Sequence, residues 1–183
     1  MQNMLANLRA RREDDERGFT LIELMVVVLI IAILIAIAIP TFLGAKSRAQ
    51  DKAAQSSLRN ALTNAKGIYT DNDSYGTTAS LVAGLTAAEP SLTFQTAAST
   101  AAKEVSVGVT DASAPYLHVI LVAKSSSGSC FAMGDSANGP GTVFAKITTG
   151  ACSAANAQTV AGVPAAATAG TNTSTANTWV AAF

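Results

Sequence analysis

FTLIELMVVVLIIAILIAIAI occupies residues 19–39, and its reading decides the fold. It holds a single charge, Glu23, and a single hydroxyl, Thr20. As an α-helix it spans about 31 Å, the thickness of a bilayer core at about 30 Å. A helix this apolar could be buried only inside a large protein, and the polar remainder of a 183-residue chain is too small to surround it. A cleaved secretory signal would have a shorter apolar region followed by a small-x-small site. Here Pro40, Thr41 and Phe42 follow, and then Lys46, Arg48 and Lys52. The stretch therefore reads as a retained transmembrane helix. Arg9, Arg11, Arg12 and Arg17 precede it, a slight bias toward a cytoplasmic N-terminus.

Upstream, residues 1–18 are polar, lack apolar periodicity, and read as a leader that needs no fold. Downstream, the helical pattern continues through residues 40–70. Ala54, Leu58, Ala61, Ala65 and Ile68 recur at spacings of four and three, one face of a helix, with Lys52, Gln55, Arg59, Asn60 and Lys66 between them. One helix is thus expected from near Phe19 to near Tyr69, amphipathic only in its second half. Pro40 lies inside it, where the missing N–H and the ring clash predict a kink or local melting. Asp71, Asn72, Asp73, Ser74 and Gly76 supply the turn that ends it. That run resembles the start of a calcium loop, but Val82 stands where a bidentate Glu is needed.

Residues 77–102, rich in Ala, Thr and Ser and holding Pro90, read as a loop. Strand signals follow: Val105, Val107 and Val109 in alternation, then residues 116–124 (YLHVILVAK), 130–133 and 142–147, separated by Gly/Ser/Asn turns. They predict three or four antiparallel strands in a meander. Leu117, Val119 and Leu121 share a face that can pack on the Leu58/Ala61/Ala65 stripe. Residues 153–178 read as low-complexity surface. Trp179, Val180 and Phe183 are expected to dock a last short strand. The domain plan is a leader at 1–18, a transmembrane helix at 19–39, its amphipathic continuation at 40–70, and a sheet domain at 71–183. The fold class is α+β, a long N-terminal helix packed on a small antiparallel sheet.

Composition narrows the function. The chain has no net charge and only 13% charged residues, against a usual share of roughly 25%. Nothing in this balance indicates a nucleic-acid partner. Its one histidine, His118, reads as a surface or partly covered residue, and the scattered acids form no base–nucleophile pattern, so no enzyme, metal site or cofactor is expected.

A carboxylate within a membrane span costs at least ~2.5 kcal/mol and calls for a partner or a purpose. Glu23 stands one helical turn after Phe19, and a chain cut before Phe19 would place a positive amine beside it. The run Arg17-Gly18-Phe19-Thr20-Leu21-Ile22-Glu23-Leu24 resembles the processing site of type IV pilins and of the pseudopilins of type II secretion. The resemblance is specific over about residues 17–50. It implies cleavage after Gly18 by a prepilin peptidase, N-methylation of Phe19, and assembly guided by Glu23. It further implies an assembly platform in the membrane, copies of the same chain as partners, and a single-pass membrane location before a cell-surface pilus. The leader departs from the pattern in carrying Glu13, Asp14, Asp15 and Glu16, and the apolar run has no glycine before Pro40.

In an extracytoplasmic compartment Cys130 and Cys152 are expected to pair, pinning the C-terminal part of the sheet. The expected function is a structural filament subunit. A pseudopilin or minor pilin of a secretion or DNA-uptake machine is the second reading, and a membrane-tethered binding protein or enzyme that does not polymerise is a distant third.

Overall fold

The computed structural model describes residues 18–138, 141–148 and 150–161, with side chains described as far as residue 157. The leader before Gly18 and the expected strand at Trp179, Val180 and Phe183 lie outside the described residues. The elements in chain order are α1 (Leu21–Asn72), α2 (Thr78–Ala88), β1 (Thr93–Gln95), β2 (Glu104–Val109), β3 (His118–Lys124), β4 (Cys130–Ser136), β5 (Val143–Ile147) and α3 (Ala154–Ala161). The chain divides into two compact units, one ending at Ala45 and one beginning at Lys46. The class is α+β, a long apolar N-terminal helix with a five-stranded, mostly antiparallel sheet.

In the first unit α1 is bare. Its large apolar side chains are exposed from Phe19 (83%) to Leu43 (57%), with Val27 the least at 46%. This helix is long and apolar enough to cross a membrane, with a mean hydropathy of 3.3 in its best window and none of that window buried.

In the second unit the sheet runs β1-β2-β3-β4-β5. Alternation along each strand gives it two apolar faces. On one, Val105, Val107, Val119, Leu121, Ala123, Phe131 and Met133 pack with Ala54, Leu58, Ala61, Leu62 and Ala65 of α1 and with Leu81 and Leu85 of α2. Fully burying one such Leu or Val contributes about 1.5–3 kcal/mol. On the other face Ile120, Val122, Ala132, Val143, Ala145 and Ile147 meet Cys152, Ala154 and Ala157 at the start of α3. The helical stripe read from the sequence is the buried one, with Gln55 buried beside it rather than facing water.

Three segments differ from expectation. Residues 78–88 are helical, not loop. Leu81 and Leu85 lie one turn apart and are fully buried, and the Thr77 hydroxyl caps the helix by accepting from the Ser80 amide at 3.2 Å. The abundance of Ala and Thr hid that two-residue apolar stripe.

The sheet also has five strands, and β1 pairs parallel to β2 through Thr93↔Glu104, Phe94↔Val105 and Gln95↔Ser106. So short a parallel connection needs a folded loop. The Glu104 carboxylate supplies it by accepting the amides of Thr100 (2.7 Å) and Ala101 (3.0 Å) and the Thr100 hydroxyl (3.0 Å). The Thr100 amide first, then that of Ala101, hold this carboxyl below its usual range.

Finally, residues 154–161 form α3 within a segment read as surface. Ser153 caps it, its hydroxyl accepting from the Asn156 amide at 3.1 Å. The Ala154 amide donates to the buried Ser106 hydroxyl at 3.0 Å. A Cβ at Gly108 would lie 2.8 Å from Ala154 Cβ, so the small residues are there to let helix and strand touch.

Candidate functional site

α1 begins at a carboxylate. Thr20 is the residue before its first turn, and Glu23 is the third residue within it. The Thr20 amide and hydroxyl both donate to Glu23 Oε2, at 2.9 and 2.8 Å, while the Glu23 amide donates back to Thr20 Oγ1 at 3.2 Å. This is a reciprocal capping box, which satisfies amide donors that a helix start otherwise leaves open. In the sequence Glu23 stands out as the lone charge of the apolar run, and Thr20 only as its lone hydroxyl. The signal was present, since Thr-x-x-Glu before an apolar run is the sequence form of this cap. Glu23 Oε1 makes no bond to the described residues. Gly18 and Phe19 stand just ahead of the cap, and both are exposed, so the peptide bond between them is open to approach.

The helix continues through Pro40 without interruption, and the local melting allowed for there is absent. The Thr41 hydroxyl donates to the carbonyls of Ile37 (3.2 Å) and Ala38 (2.9 Å), occupying acceptors next to the break in the hydrogen-bond ladder. At the other end of the chain Cys130, the first residue of β4, is bonded to Cys152, just before α3, with Cα atoms 5.6 Å apart.

Two polar clusters of the second unit were not foreseen. Asp135 on β4 is 4% exposed and accepts from the Tyr75 hydroxyl (2.6 Å), the Thr142 hydroxyl (2.7 Å) and the Lys66 ammonium (2.8 Å). One buried carboxylate thereby ties α1, the turn after it and the β4–β5 connection together. Burial first, then the bond to Asp135, raises the Tyr75 phenol well above its ordinary pKa.

The second cluster corrects the reading of His118, which is buried at 8% exposure. It lies on the sheet face that also carries Ile120 and Val122, and its Nδ1 is 2.5 Å from Asp111 Oδ1. Asp111 Oδ2 also accepts the amides of Leu117 (2.7 Å) and His118 (2.8 Å), so this carboxylate closes the β2–β3 connection. Among the described residues His118 Nε2 and Thr110 Oγ1 are buried without partners, and no hydroxyl or thiol bonds the imidazole as a nucleophile would. Among the described residues no group of three or more His, Cys, Asp or Glu is placed to hold a metal ion.

A family comparison addresses the helix start directly. Residues 14–39 match the prokaryotic N-terminal methylation motif. The chain carries the prepilin signature of type IV pilins and pseudopilins. That signature spans Gly18, Phe19, the Thr20–Glu23 cap and most of the bare apolar run. It implies processing by a prepilin peptidase and association with a membrane. It points to a structural protein, pilin-like or pseudopilin, anchored by the apolar helix. No curated protein sequence and no solved structure matches the chain.

Proposed function

We propose that the chain is the structural subunit of a type IV pilus-like filament. The observation that carries this reading is the prepilin signature laid over a helix whose apolar side chains are left uncovered by the described residues. Such a helix needs lipid while the subunit is stored and the helices of other copies once it leaves the membrane. In this reading the peptidase cuts between Gly18 and Phe19, and the new Phe19 amine is methylated. Residues 19–39 pass from membrane to filament core, and residues 40–70 carry the helix outward. Residues 71–183 form the outer domain, and Pro40 is where α1 bends during extraction by the assembly platform.

Glu23 Oε1 then meets the Phe19 amine of a neighbouring copy. In an apolar core such a pair is weakly screened, and it fixes the axial stagger of the subunits. The mature protein starts as a single-pass inner or cytoplasmic membrane protein and ends in a cell-surface pilus.

The test is electron microscopy of sheared surface material with mass spectrometry of its main protein. Filaments built from a chain that begins at a methylated Phe19 are expected. Assembled material that still begins at Met1 would overturn the reading. A pseudopilin carries the same signature, and low abundance in sheared material would mark this chain as one.

A further inference from the structure

The charges of the second unit are segregated. Between residues 46 and 66 stand Lys46, Arg48, Lys52, Arg59 and Lys66 against one acid, Asp51, whose carboxylate takes the Ser127 hydroxyl. From residue 71 onward the balance reverses, with Asp71, Asp73, Glu89, Glu104, Asp111 and Asp135 against Lys103, Lys124 and Lys146. At 100° per residue, Arg48, Lys52, Arg59 and Lys66 fall within about 40° of one another, a ridge about 27 Å long along α1. All four are exposed, opposite the buried Ala54, Ala61 and Ala65, with the buried Gln55 and Leu62 along one flank of the ridge.

Lys66 is held by Asp135, whereas Arg48 and Lys52 have no acidic partner among the described residues, Lys52 donating only to Gln55 Oε1 at 3.2 Å. At the far end of the same helix sit two exposed acids that likewise have no partner among the described residues, Asp71 in the last turn and Asp73 just beyond it. Carboxylates there face the negative end of the helix dipole, and no cation stands in that turn to offset them.

We propose that the Asp71/Asp73 corner of one copy docks on the Arg48/Lys52 part of the ridge of a second copy. The inference rests on the filament reading and names the charge contact between its outer domains. Two features select a second copy over a foreign polyanion. The chain is neutral overall and carries both complements itself. A contact between two different patches of one chain is also heterologous, and such contacts propagate into open helical assemblies instead of closing as dimers do.

The experiment compares sheared filament mass for the wild type, Arg48→Glu with Lys52→Glu, Asp71→Lys with Asp73→Lys, and the four-fold swap. Membrane level and cleavage at Gly18 are measured alongside in every strain. Each double reversal is expected to lower filament mass about tenfold, the change brought by 1.4 kcal/mol of lost docking energy. The swap, which restores opposite charges, is expected to recover it. Normal filaments from both reversals overturn the proposal and leave the filament reading intact. Loss from the basic reversal alone, or no recovery in the swap, overturns it too and indicates a foreign partner for the ridge. Absence of filaments in the wild type overturns both readings.

Discussion

Asp135→Asn is the substitution whose effect the structure quantifies best. It keeps shape and volume, removes the charge, and turns one acceptor oxygen into an NH2 donor. With the remaining oxygen kept toward Thr142 and Lys66, the amide faces the Tyr75 hydroxyl. That hydroxyl can accept from it but then has nowhere to place its own proton. A buried, unpaired polar hydrogen costs about 1–3 kcal/mol, and losing the charge from the Thr142 bond removes about 1 kcal/mol more. Lys66 is 47% exposed at its side chain, so its loss is worth a surface pair, about 0–1 kcal/mol. The expected cost is about 2–5 kcal/mol, which lowers Tm by about 6–20 °C in a domain of this size. The assay is thermal unfolding of the detergent-solubilised protein followed by near-ultraviolet circular dichroism. Adding Tyr75→Phe removes the unpaired hydroxyl, so the double variant should lose less than the sum of the two single losses. Additivity within about 0.5 kcal/mol, or a melting point unmoved by Asp135→Asn, would refute the buried network as described.

Thr20→Val keeps the shape of the cap residue and removes its hydroxyl, so the Glu23 amide should exchange its proton faster in micelles, while Thr20→Ser leaves it unchanged. Cys130→Ala with Cys152→Ala opens a loop whose closure is worth roughly 3 kcal/mol, and the denaturation midpoint of the solubilised protein should fall accordingly. Glu104 has a depressed pKa in the fold, so its contribution is present above the ordinary carboxylate range and lost as pH falls through the folded value. Removing the carboxylate with Glu104→Gln should flatten that part of the acid limb of a stability–pH curve.

The long helix and the strands of the central sheet could be read from the sequence because each carries its own period. Residues 54–68 repeat at three and four, and Val105, Val107 and Val109 at two. The elements that were missed have little apolar patterning of their own. α2 buries only Leu81 and Leu85, with Val82 half-covered beside them, and α3 packs through Ala154 and Ala157, Ala154 lying against the bare Cα of Gly108 on β2. β1 pairs with β2 across a loop gathered by the Glu104 carboxylate, an arrangement that apolar alternation does not announce. At the site the difference is similar. Glu23 stands out as the one charge in an apolar run, whereas Thr20 matters through a bond that shows only when the helix start is treated as a set of unsatisfied amides. Asp111, His118, Asp135 and Tyr75 look like ordinary polar residues until the fold joins Asp111 to His118 and, separately, Asp135 to Tyr75.

The cap also changes what Glu23 must be tested for. Its Oε2 is held twice by Thr20, and its Oε1 is open, so one carboxylate can cap its own helix and still meet a cation from outside. A defect in Glu23→Ala therefore cannot separate lost charge from lost cap. Glu23→Gln can, because its amide oxygen still accepts from Thr20 while the charge is gone. If attraction to a neighbour's amine drives docking, both variants should insert and be cleaved, and both should give little filament, since removing a charge from an apolar span makes insertion easier and leaves docking as the step that fails. If the cap is what counts, Glu23→Gln should assemble like the wild type and only Glu23→Ala should fail. The readout is filament mass relative to cleaved subunit in the membrane. Normal filaments from Glu23→Gln would show that Glu23 acts through the Thr20 cap and not through its charge.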